Sequence, residues 1–143
     1  MAFIICEDDD FIEAGEFYAE MLGIPDDAII AISLHNNLDV AGYCVQKKDS
    51  ILPYYIIALD RTDDDEDRED PLSVLAHEFI HVKQYTLGQL KDEGMYSYWK
   101  GKKYENAEPD SKEYYFSPWE VEAFGMQVGL YRLYMRSIEN ELQ

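Results

Sequence analysis

Residues 70–88 read Asp-Pro-Leu-Ser-Val-Leu-Ala-His-Glu-Phe-Ile-His-Val-Lys-Gln-Tyr-Thr-Leu-Gly, and this stretch decides how the rest of the chain is organised. Asp70 and Pro71 are typical of a helix N-cap and a first helical position, and Gly88 predicts the helix end. Between them, apolar residues recur at spacings of three and four, the period of one helix face. The positions predicted to face the core are Leu72, Leu75, Phe79 and Val82.

The neighbouring face of this predicted helix carries the chemistry. His77 and His81 are four residues apart, so their imidazoles lie one above the other. Glu78 lies beside them, and His-Glu-x-x-His is typical of a helix that binds a metal ion and supplies a general base. Val74 and Tyr85 belong to the same face, which we predict to lie between the core and a cleft.

Two histidines do not complete a catalytic zinc site, which takes three protein ligands and a water. In one architecture a glycine and a histidine follow, seven and ten residues after the first histidine. Here those positions are Gln84 and Leu87, which excludes that architecture. No histidine follows His81, and both cysteines lie far upstream. The third ligand is therefore expected to be an acidic side chain on a later helix.

Ser117 and Pro118 predict the start of a long final helix with Glu120 at its third position. Its predicted core stripe consists of Val121, Phe124, Val128, Tyr131, Met135 and Ile138. At about 100° per residue, Glu120 falls roughly 60° from the centre of that stripe and Glu122 roughly 140°. We therefore predict that Glu120 reaches the metal site and that Glu122 points to solvent. The alternative for Glu120 is a capping box, in which its carboxylate only accepts a hydrogen bond from the backbone amide of Ser117.

The first sixty residues predict one helix and a small sheet. Asp10 is expected to cap a helix over 11–22, which Gly23 ends. Residues 3–6 are either a first strand or a tucked-in terminus. Three β-like segments separated by polar breaks predict a meander over 28–34, 40–46 and 52–59. We therefore expect an α+β fold: an N-terminal helix, a small, mostly antiparallel three-stranded sheet, the histidine-bearing helix and a long C-terminal helix.

Two further segments are predicted to be connections. Residues 60–70 are strongly acidic but have no glycine for the sharp turn of a calcium loop, so we interpret them as a solvated, mobile connection. Residues 89–116 are polar, aromatic and irregular, with a tight turn at 99–104, and form either a rim of the cleft or a packed loop. His35 lies at a break without ligand spacing and is interpreted as a surface histidine rather than a third ligand.

Composition limits the function classes. The 143 residues fit one domain over 1–143, and Cys6 and Cys44 are too few for a disulfide framework, which favours a cytoplasmic protein. The chain starts without the basic region of a signal peptide, and no apolar run is long enough to span a membrane. The net charge of −18 argues against nucleic acid as a partner. We interpret this acidity as a solvated surface, with an acidic decoy or inhibitor as an alternative.

The two motifs resemble a known family. His77-Glu78-Phe79-Ile80-His81, followed by Pro118-Trp119-Glu120-Val121-Glu122-Ala123, is similar to the gluzincin branch of zinc metallopeptidases. More narrowly, it resembles small metallopeptidase-like proteins of phage and bacterial genomes, over about residues 70–125. The resemblance implies a minimal zincin-like domain with Zn²⁺ bound by His77, His81 and Glu120. Phe124 departs from the family, which has an acid or amide at that position to orient a ligand.

The resemblance also implies an activity, the zinc-dependent hydrolysis of peptide bonds in a peptide or protein substrate. Glu78 would be the general base for a zinc-bound water, and Tyr104, Tyr114 and Tyr115 are candidate donors to the oxyanion. The strand at 52–59 would pair with an extended substrate. Two alternatives stay open: a zinc-binding structural or assembly protein without turnover, and the acidic decoy or inhibitor. The oligomeric state is not predicted.

Overall fold

The computed structural model describes residues 1–62 and 68–141, which form an α+β arrangement of helices and two sheets. Within these ranges, the larger sheet contains β1 (Phe3–Ile5), β2 (Ile29–His35), β3 (Gly42–Gln46) and β4 (Tyr54–Asp60). The smaller sheet contains β5 (Leu90–Asp92), β6 (Tyr96–Trp99) and β7 (Lys102–Glu105). The helices are α1 (Asp9–Leu22), α2 (Pro71–Thr86), α3 (Lys112–Tyr115) and α4 (Pro118–Glu141). None of these helices is long and apolar enough to cross a membrane.

The larger sheet has the order β1-β2-β4-β3, in which β1, β2 and β4 are parallel and β3 is antiparallel to β4. The predicted meander of three mostly antiparallel strands is therefore wrong, because β4 lies between β2 and β3. The burial of β4 gives the reason: Tyr55 and the continuous run 57–60 are buried, as is typical of a central strand covered on its faces. Tyr43 and Val45 of β3 are exposed, as is typical of an edge.

Helix α1 connects β1 to β2, which are parallel neighbours. Its N-cap is Asp8, whose side chain accepts a hydrogen bond of 2.9 Å from the backbone N–H of Asp10, so the prediction of Asp10 as the cap is wrong by two residues. Gly23, with φ of 69°, ends the helix as predicted. The buried Tyr18 hydroxyl donates to the Leu72 carbonyl at 2.8 Å and thereby ties α1 to the first turn of α2.

Helix α2 lies at the centre of the molecule, packed against α1, α4, β3 and β4. Its predicted start is confirmed, since the Asp70 side chain accepts a hydrogen bond from Leu72 N–H at 2.9 Å and Pro71 is the first residue. It ends at Thr86, followed by Gly88 with a φ of 72°. Every residue from 73 to 82 is buried, the histidine face as well as the predicted core face. Side chains on so enclosed a helix are held in defined positions.

The acidic connection begins with a buried residue. Asp60 ends β4 with only 3% of its surface exposed, so its prediction as part of a solvated segment is wrong. Hydrogen bonds from the Thr62 hydroxyl and amide, at 2.6 and 2.8 Å, lower its pKa to about 2, and Arg68 forms an ion pair with it at 2.5 Å. Residues 63–67, on which the rest of that prediction falls, lie outside the described residues.

The smaller sheet occupies the segment predicted to be irregular. The tight turn at 99–104 is confirmed: Lys100 and Gly101, with φ of 49° and 86°, join β6 to β7 in the two-residue loop typical of a hairpin. The strands themselves were not predicted because few of their side chains are buried apolar ones. Leu90 and Ser97 are the strand residues of this sheet that are buried, so the sequence lacks an apolar alternation to detect.

Helix α4 buries a different face from the predicted one. Val121, Phe124 and Val128 are exposed, so the first half of the predicted core stripe is wrong. The buried residues are Glu120, Ala123, Gln127, Leu130 and Tyr134. The second half of the stripe, which comprises Tyr131, Met135 and Ile138, is partly buried against the core. The first half of α4 buries polar residues because it packs on the histidine face of α2, which is itself polar.

Candidate metal centre

Three predicted ligands converge between α2 and α4. The Nε2 atom of His77 lies 3.1 Å from Oε1 of Glu120, and the Nε2 atom of His81 lies 3.2 Å from Oε2. One ligand atom from each residue lies within 4.8 Å of the others, and all three side chains are buried. His35 does not belong to this group: it ends β2, and its Nε2 atom forms a 2.7 Å hydrogen bond with the Ser33 hydroxyl.

The start of α4 aims the Glu120 carboxylate at the histidines. The Ser117 hydroxyl donates to the Tyr114 carbonyl at 2.6 Å rather than accepting from the first turn of the helix. The Glu120 amide is bonded instead to the Ser117 carbonyl at 3.1 Å. The capping-box alternative for Glu120 therefore does not apply, because its carboxylate faces the imidazoles on α2.

The Nδ1 atom of His77, which is the ring nitrogen away from Glu120, forms a hydrogen bond with Gln127. Gln127 donates its amide N–H groups to Glu69 Oε1 at 2.7 Å and to the Ser73 hydroxyl at 3.1 Å. Because a carboxylate only accepts hydrogen bonds, this contact orients the amide so that its oxygen faces His77 Nδ1, at 2.9 Å. His77 must therefore carry a proton on Nδ1, and its Nε2 is the nitrogen that faces Glu120.

Gln84 holds His81 in the same way. Its amide nitrogen donates to the Trp119 carbonyl at 2.9 Å and to Glu122 Oε1 at 3.2 Å, both of which only accept. Its oxygen therefore faces His81 Nδ1, at 2.8 Å. Glu122 also pairs with Lys83 at 2.7 Å, so the prediction that it points freely to solvent is wrong. It supports the glutamine that orients a histidine.

The hydrogen bonds and charges of His77, His81 and Glu120 favour a positive charge between these three side chains. Burial alone would lower the pKa of His81, but the hydrogen bond to Glu120 and the charges of Glu78 and Glu120 raise it to about 9. Burial alone would raise the pKa of Glu120, but the hydrogen bonds and charges of the two histidines lower it to about 2. With Nδ1 protonated on both rings, the two Nε2 atoms face one carboxylate. That arrangement calls for either extra protons or a cation.

The donor set could hold a metal ion, and its chemistry is compatible with zinc. Two imidazole nitrogens and one carboxylate, with a position left open, are a set that catalytic zinc takes, and ligand bonds of roughly 2.0–2.2 Å in a tetrahedron separate the ligand atoms by about 3.3 Å. The observed separations of 3.1 and 3.2 Å, which run from the two Nε2 atoms to different oxygens of Glu120, are close to that value, and one donor atom from each of the three residues lies within 4.8 Å of the others. Metal-bound histidines also donate their other N–H to an oxygen, as His77 and His81 do to the two glutamines.

Glu78 lies beside this group and is buried but has no partner. It is 5% exposed, and its carboxylate accepts no hydrogen bond from a side chain or amide that the structure describes. Burial raises its pKa, against the opposing charges of His81 and His77. Because Glu78 lines the cleft, its carboxylate can take a proton or a hydrogen bond from a molecule bound there.

The cleft consists of two adjoining cavities of about 260 and 580 Å³. Gly42, Tyr43, Glu78 and Tyr114 line both of them, so Glu78 faces the point where they meet. The smaller cavity extends past His81 toward β5 and β6, and the larger extends past His77 toward Phe124. Since Leu90, Asp92 and Ser97 line the smaller cavity, the β5–β7 sheet forms one rim of the cleft rather than a packed loop.

Strand β3, not the strand at 52–59, borders the cleft. β4 is paired on both sides, with β2 and β3, so it has no free edge for a substrate. Gly42 allows β3 to pass close to β4 and α2, because a Cβ atom at this position would lie 2.9 Å from the Ala58 carbonyl oxygen and 2.9 Å from a Val74 methyl. A glycine is therefore required to bring the edge strand against the histidine-bearing helix.

The three candidate tyrosines occupy different places. Tyr114 lines both cavities, and burial together with the Glu120 and Glu78 charges raises its pKa. Tyr115 lines the larger cavity, but its hydroxyl donates to Asp110. Tyr104 lines neither and packs edge-on against Trp119, with ring centroids 5.7 Å apart. Of the three, Tyr114 has the placement that an oxyanion donor needs.

Phe124, which departs from the gluzincin pattern that the motifs resemble, packs on the predicted ligand His77 instead of bonding to it. Its ring centroid lies 4.4 Å from that of His77. The orienting role falls on Gln127 and Gln84, which are not among the residues predicted from the sequence. A signal for both was present, because Gln127 lies two turns after Glu120 and Gln84 one turn after His81, on the same helix faces.

Comparison with known proteins adds no family. No protein-family model matches the chain, and neither the curated proteins nor the solved structures compared with it include a match. The resemblance to gluzincins therefore rests on the motifs and on the site described here.

Proposed function

We propose that this protein is a zinc-dependent hydrolase of peptide bonds with a zincin-like arrangement of helix, sheet edge and site. The observation that carries the proposal is a group of three converging donors, two of them histidines oriented by glutamines, next to a Glu78 carboxylate that accepts no hydrogen bond from the described residues. His77 and His81 turn Nε2 toward Glu120 because the glutamines occupy their Nδ1 atoms. A site built only to stabilise the fold has no need for Glu78 at the mouth of a cleft.

His77, His81 and Glu120 would hold the zinc ion. When bound there, zinc supplies a Lewis acid that lowers the pKa of water toward about 7 and polarises a carbonyl. Glu78 accepts the proton of the attacking water and then passes it to the departing amine, a role for which its raised pKa is suited. Tyr114, whose hydroxyl is protonated at neutral pH like that of any tyrosine, donates a hydrogen bond to the developing oxyanion.

The substrate would lie extended along β3. This strand uses one edge to pair with β4, and its other edge is free among the described residues. Backbone hydrogen bonds to a free edge hold a peptide without regard to its sequence. Because Gly42 lines both cavities, a peptide bonded to β3 passes the point that Glu78 faces.

Metal analysis combined with Glu78→Gln tests the proposal. We expect about one zinc per chain in protein purified without chelator, and the same content in the variant because Glu78 is not a ligand. Cleavage of a mixed peptide pool should fall by roughly 10²–10⁴-fold in the variant, the range for losing a general base. Zinc content near zero, or a variant with undiminished cleavage, would refute the proposal.

A matched pair of variants tests the third ligand. Glu120→Ala should abolish stoichiometric zinc binding, because it removes one of three donors. Glu122→Ala removes a support of Gln84 at 3.2 Å and should weaken binding only modestly. The reverse order of effects would show that the ligand assignment is wrong. An activity that is insensitive to chelator and to Glu78→Gln but abolished by salt would instead support an acidic decoy.

A further inference from the structure

Apart from the two histidines and the zinc ion proposed between them, the charges that line the cleft have one sign. Besides the histidines, the charged residues lining the two cavities are all acidic: Asp39, Glu69, Glu78, Asp92, Asp110 and Glu120. No lysine or arginine in the described chain lines either cavity. A cleft lined by one sign of charge concentrates the field and attracts ligands of the opposite sign.

The larger cavity combines these acids with apolar walls. Val40, Val74 and Phe124 line it together with Asp39 and Asp110, and its volume of about 580 Å³ lies in the range of ligand pockets. Phe124 is 44% exposed although it lies next to the site, so part of its ring is uncovered. Such a surface suits a side chain with an apolar stem and a positive end. An aromatic face also attracts a cation.

Two acidic groups in this cavity have unused bonding capacity. Asp39 forms no hydrogen bond or ion pair with the described residues. Glu78, which is only 5% exposed, lines the same cavity and is likewise without a partner there. Glu69 is already engaged by Gln127, whereas Asp110 accepts from Tyr115 at Oδ1 alone and keeps Oδ2 for a further contact. The cavity therefore offers negative charge that the described part of the protein leaves unmatched.

We infer that the larger cavity binds a lysine or arginine side chain of the substrate, which makes the protein selective for cationic peptides. This inference rests on the proposed hydrolysis and names the class of substrate. The aliphatic part of the side chain lies against Val40 and Val74, and its charged end reaches Asp39 and Asp110 at the rim.

Paired peptides test this selectivity. Fluorogenic peptides with one arginine, scanned through six positions, are compared with peptides carrying citrulline, which has nearly the same shape without the charge. We expect kcat/KM at one or two adjacent positions to favour arginine by roughly 2- to 30-fold, the range for two exposed ion pairs, with the preference decreasing at high salt. Asp39→Asn should reduce it by roughly 1.4- to 5-fold, whereas Asp49→Asn, outside the cleft, should leave it unchanged.

A measurement of peptide binding distinguishes a failure of the cationic pocket from a failure of the proposed hydrolysis. Fluorescence anisotropy of the same labelled peptides is measured with zinc-loaded Glu78→Gln protein. Cleavage of both peptides at equal rates, or no preference that depends on Asp39, overturns the selectivity and leaves the hydrolase standing. If the wild type cleaves neither peptide, the hydrolase proposal fails, and tighter binding of the arginine peptide still supports the cationic pocket. Equal binding of the two peptides then overturns both.

Discussion

Replacing Gln127 with leucine removes the acceptor that holds His77, and its effect on zinc affinity follows from the contacts of that ring. In the bound state Nε2 must face the ion, so Nδ1–H, which donates to Gln127 at 2.9 Å, would be left buried without an acceptor. Leaving a buried donor unsatisfied costs about 1–3 kcal/mol. In the metal-free state the ring is free to turn toward another partner, so most of this cost falls on the bound state.

At about 1.4 kcal/mol per tenfold change, this cost corresponds to a Kd for zinc that rises by roughly 5- to 140-fold, a range that includes the usual effect of removing such a partner, about 10- to 100-fold. The assay is competition with a fluorescent zinc chelator at fixed pH. Val128→Leu is the control, because it changes the next residue of α4 at a position 55% exposed. The free energy of unfolding of each metal-free protein is measured in urea to separate loss of affinity from loss of fold.

A Gln127→Leu variant whose Kd stays within about twofold of the wild type would refute the reasoning. It would mean that the hydrogen bond does not orient His77 in the metal-bound protein. A large fall in metal-free stability with an unchanged Kd would lead to the same conclusion, since Gln127 would then serve only the packing of α4 on α2.

Three further predictions concern the site and its support. Tyr114→Phe should lower kcat by on the order of 10²-fold with unchanged zinc content, measured against Tyr104→Phe, whose rate should be normal. Gly42→Ala should lower the free energy of unfolding by about 1–3 kcal/mol in urea titrations, because its Cβ would lie 2.9 Å from the Ala58 carbonyl oxygen. Asp60 has a pKa of about 2 in the folded protein against an ordinary value of 3.8, so it contributes stability above pH 4 that is lost as the pH falls toward 2. In the Asp60→Asn variant, the free energy of unfolding should therefore depend less on pH between pH 4 and pH 2. An unchanged pH dependence would contradict this account.

The half of the site on α2 could be predicted because it is local. Asp70, Pro71 and Gly88 bound one helix, and helical spacing alone places His77 beside His81. No long-range information was required for these residues. Glu120 does lie beside them in the structure, but the helical wheel placed it there from a wrong core stripe, because Val121 and Val128 are exposed rather than buried.

The error on α4 has a physical cause. A helical wheel locates the buried face by its apolar residues, yet this helix packs on a face of α2 that carries two histidines. Polar residues such as Gln127 are buried there because each finds a hydrogen-bond partner. A sequence contains such a pairing only as two separate polar positions, 50 residues apart for His77 and Gln127.

For a similar reason, the order of the strands in the sheet could not be predicted from local sequence patterns. Each predicted β-like segment lies near an observed strand, but pairing depends on which segments the helices cover. β4 is central and its residues 57–60 form a continuous buried run, whereas β3 keeps Tyr43 and Val45 exposed and stays at the edge. Insertion of a later strand between two earlier ones leaves no mark in the spacing of residues.

The proposed ligands also have a consequence for the chain as a polymer. His81 precedes the β5–β7 sheet and Glu120 follows it, so an ion held by both would close a loop through all of the intervening residues. Closing a loop of that length restricts an unfolded chain by on the order of 3 kcal/mol. Zinc would thus act as a reversible cross-link, similar in effect to a disulfide in a chain whose two cysteines are free. The rim of the cleft would be tethered at both ends by the ion that performs the chemistry.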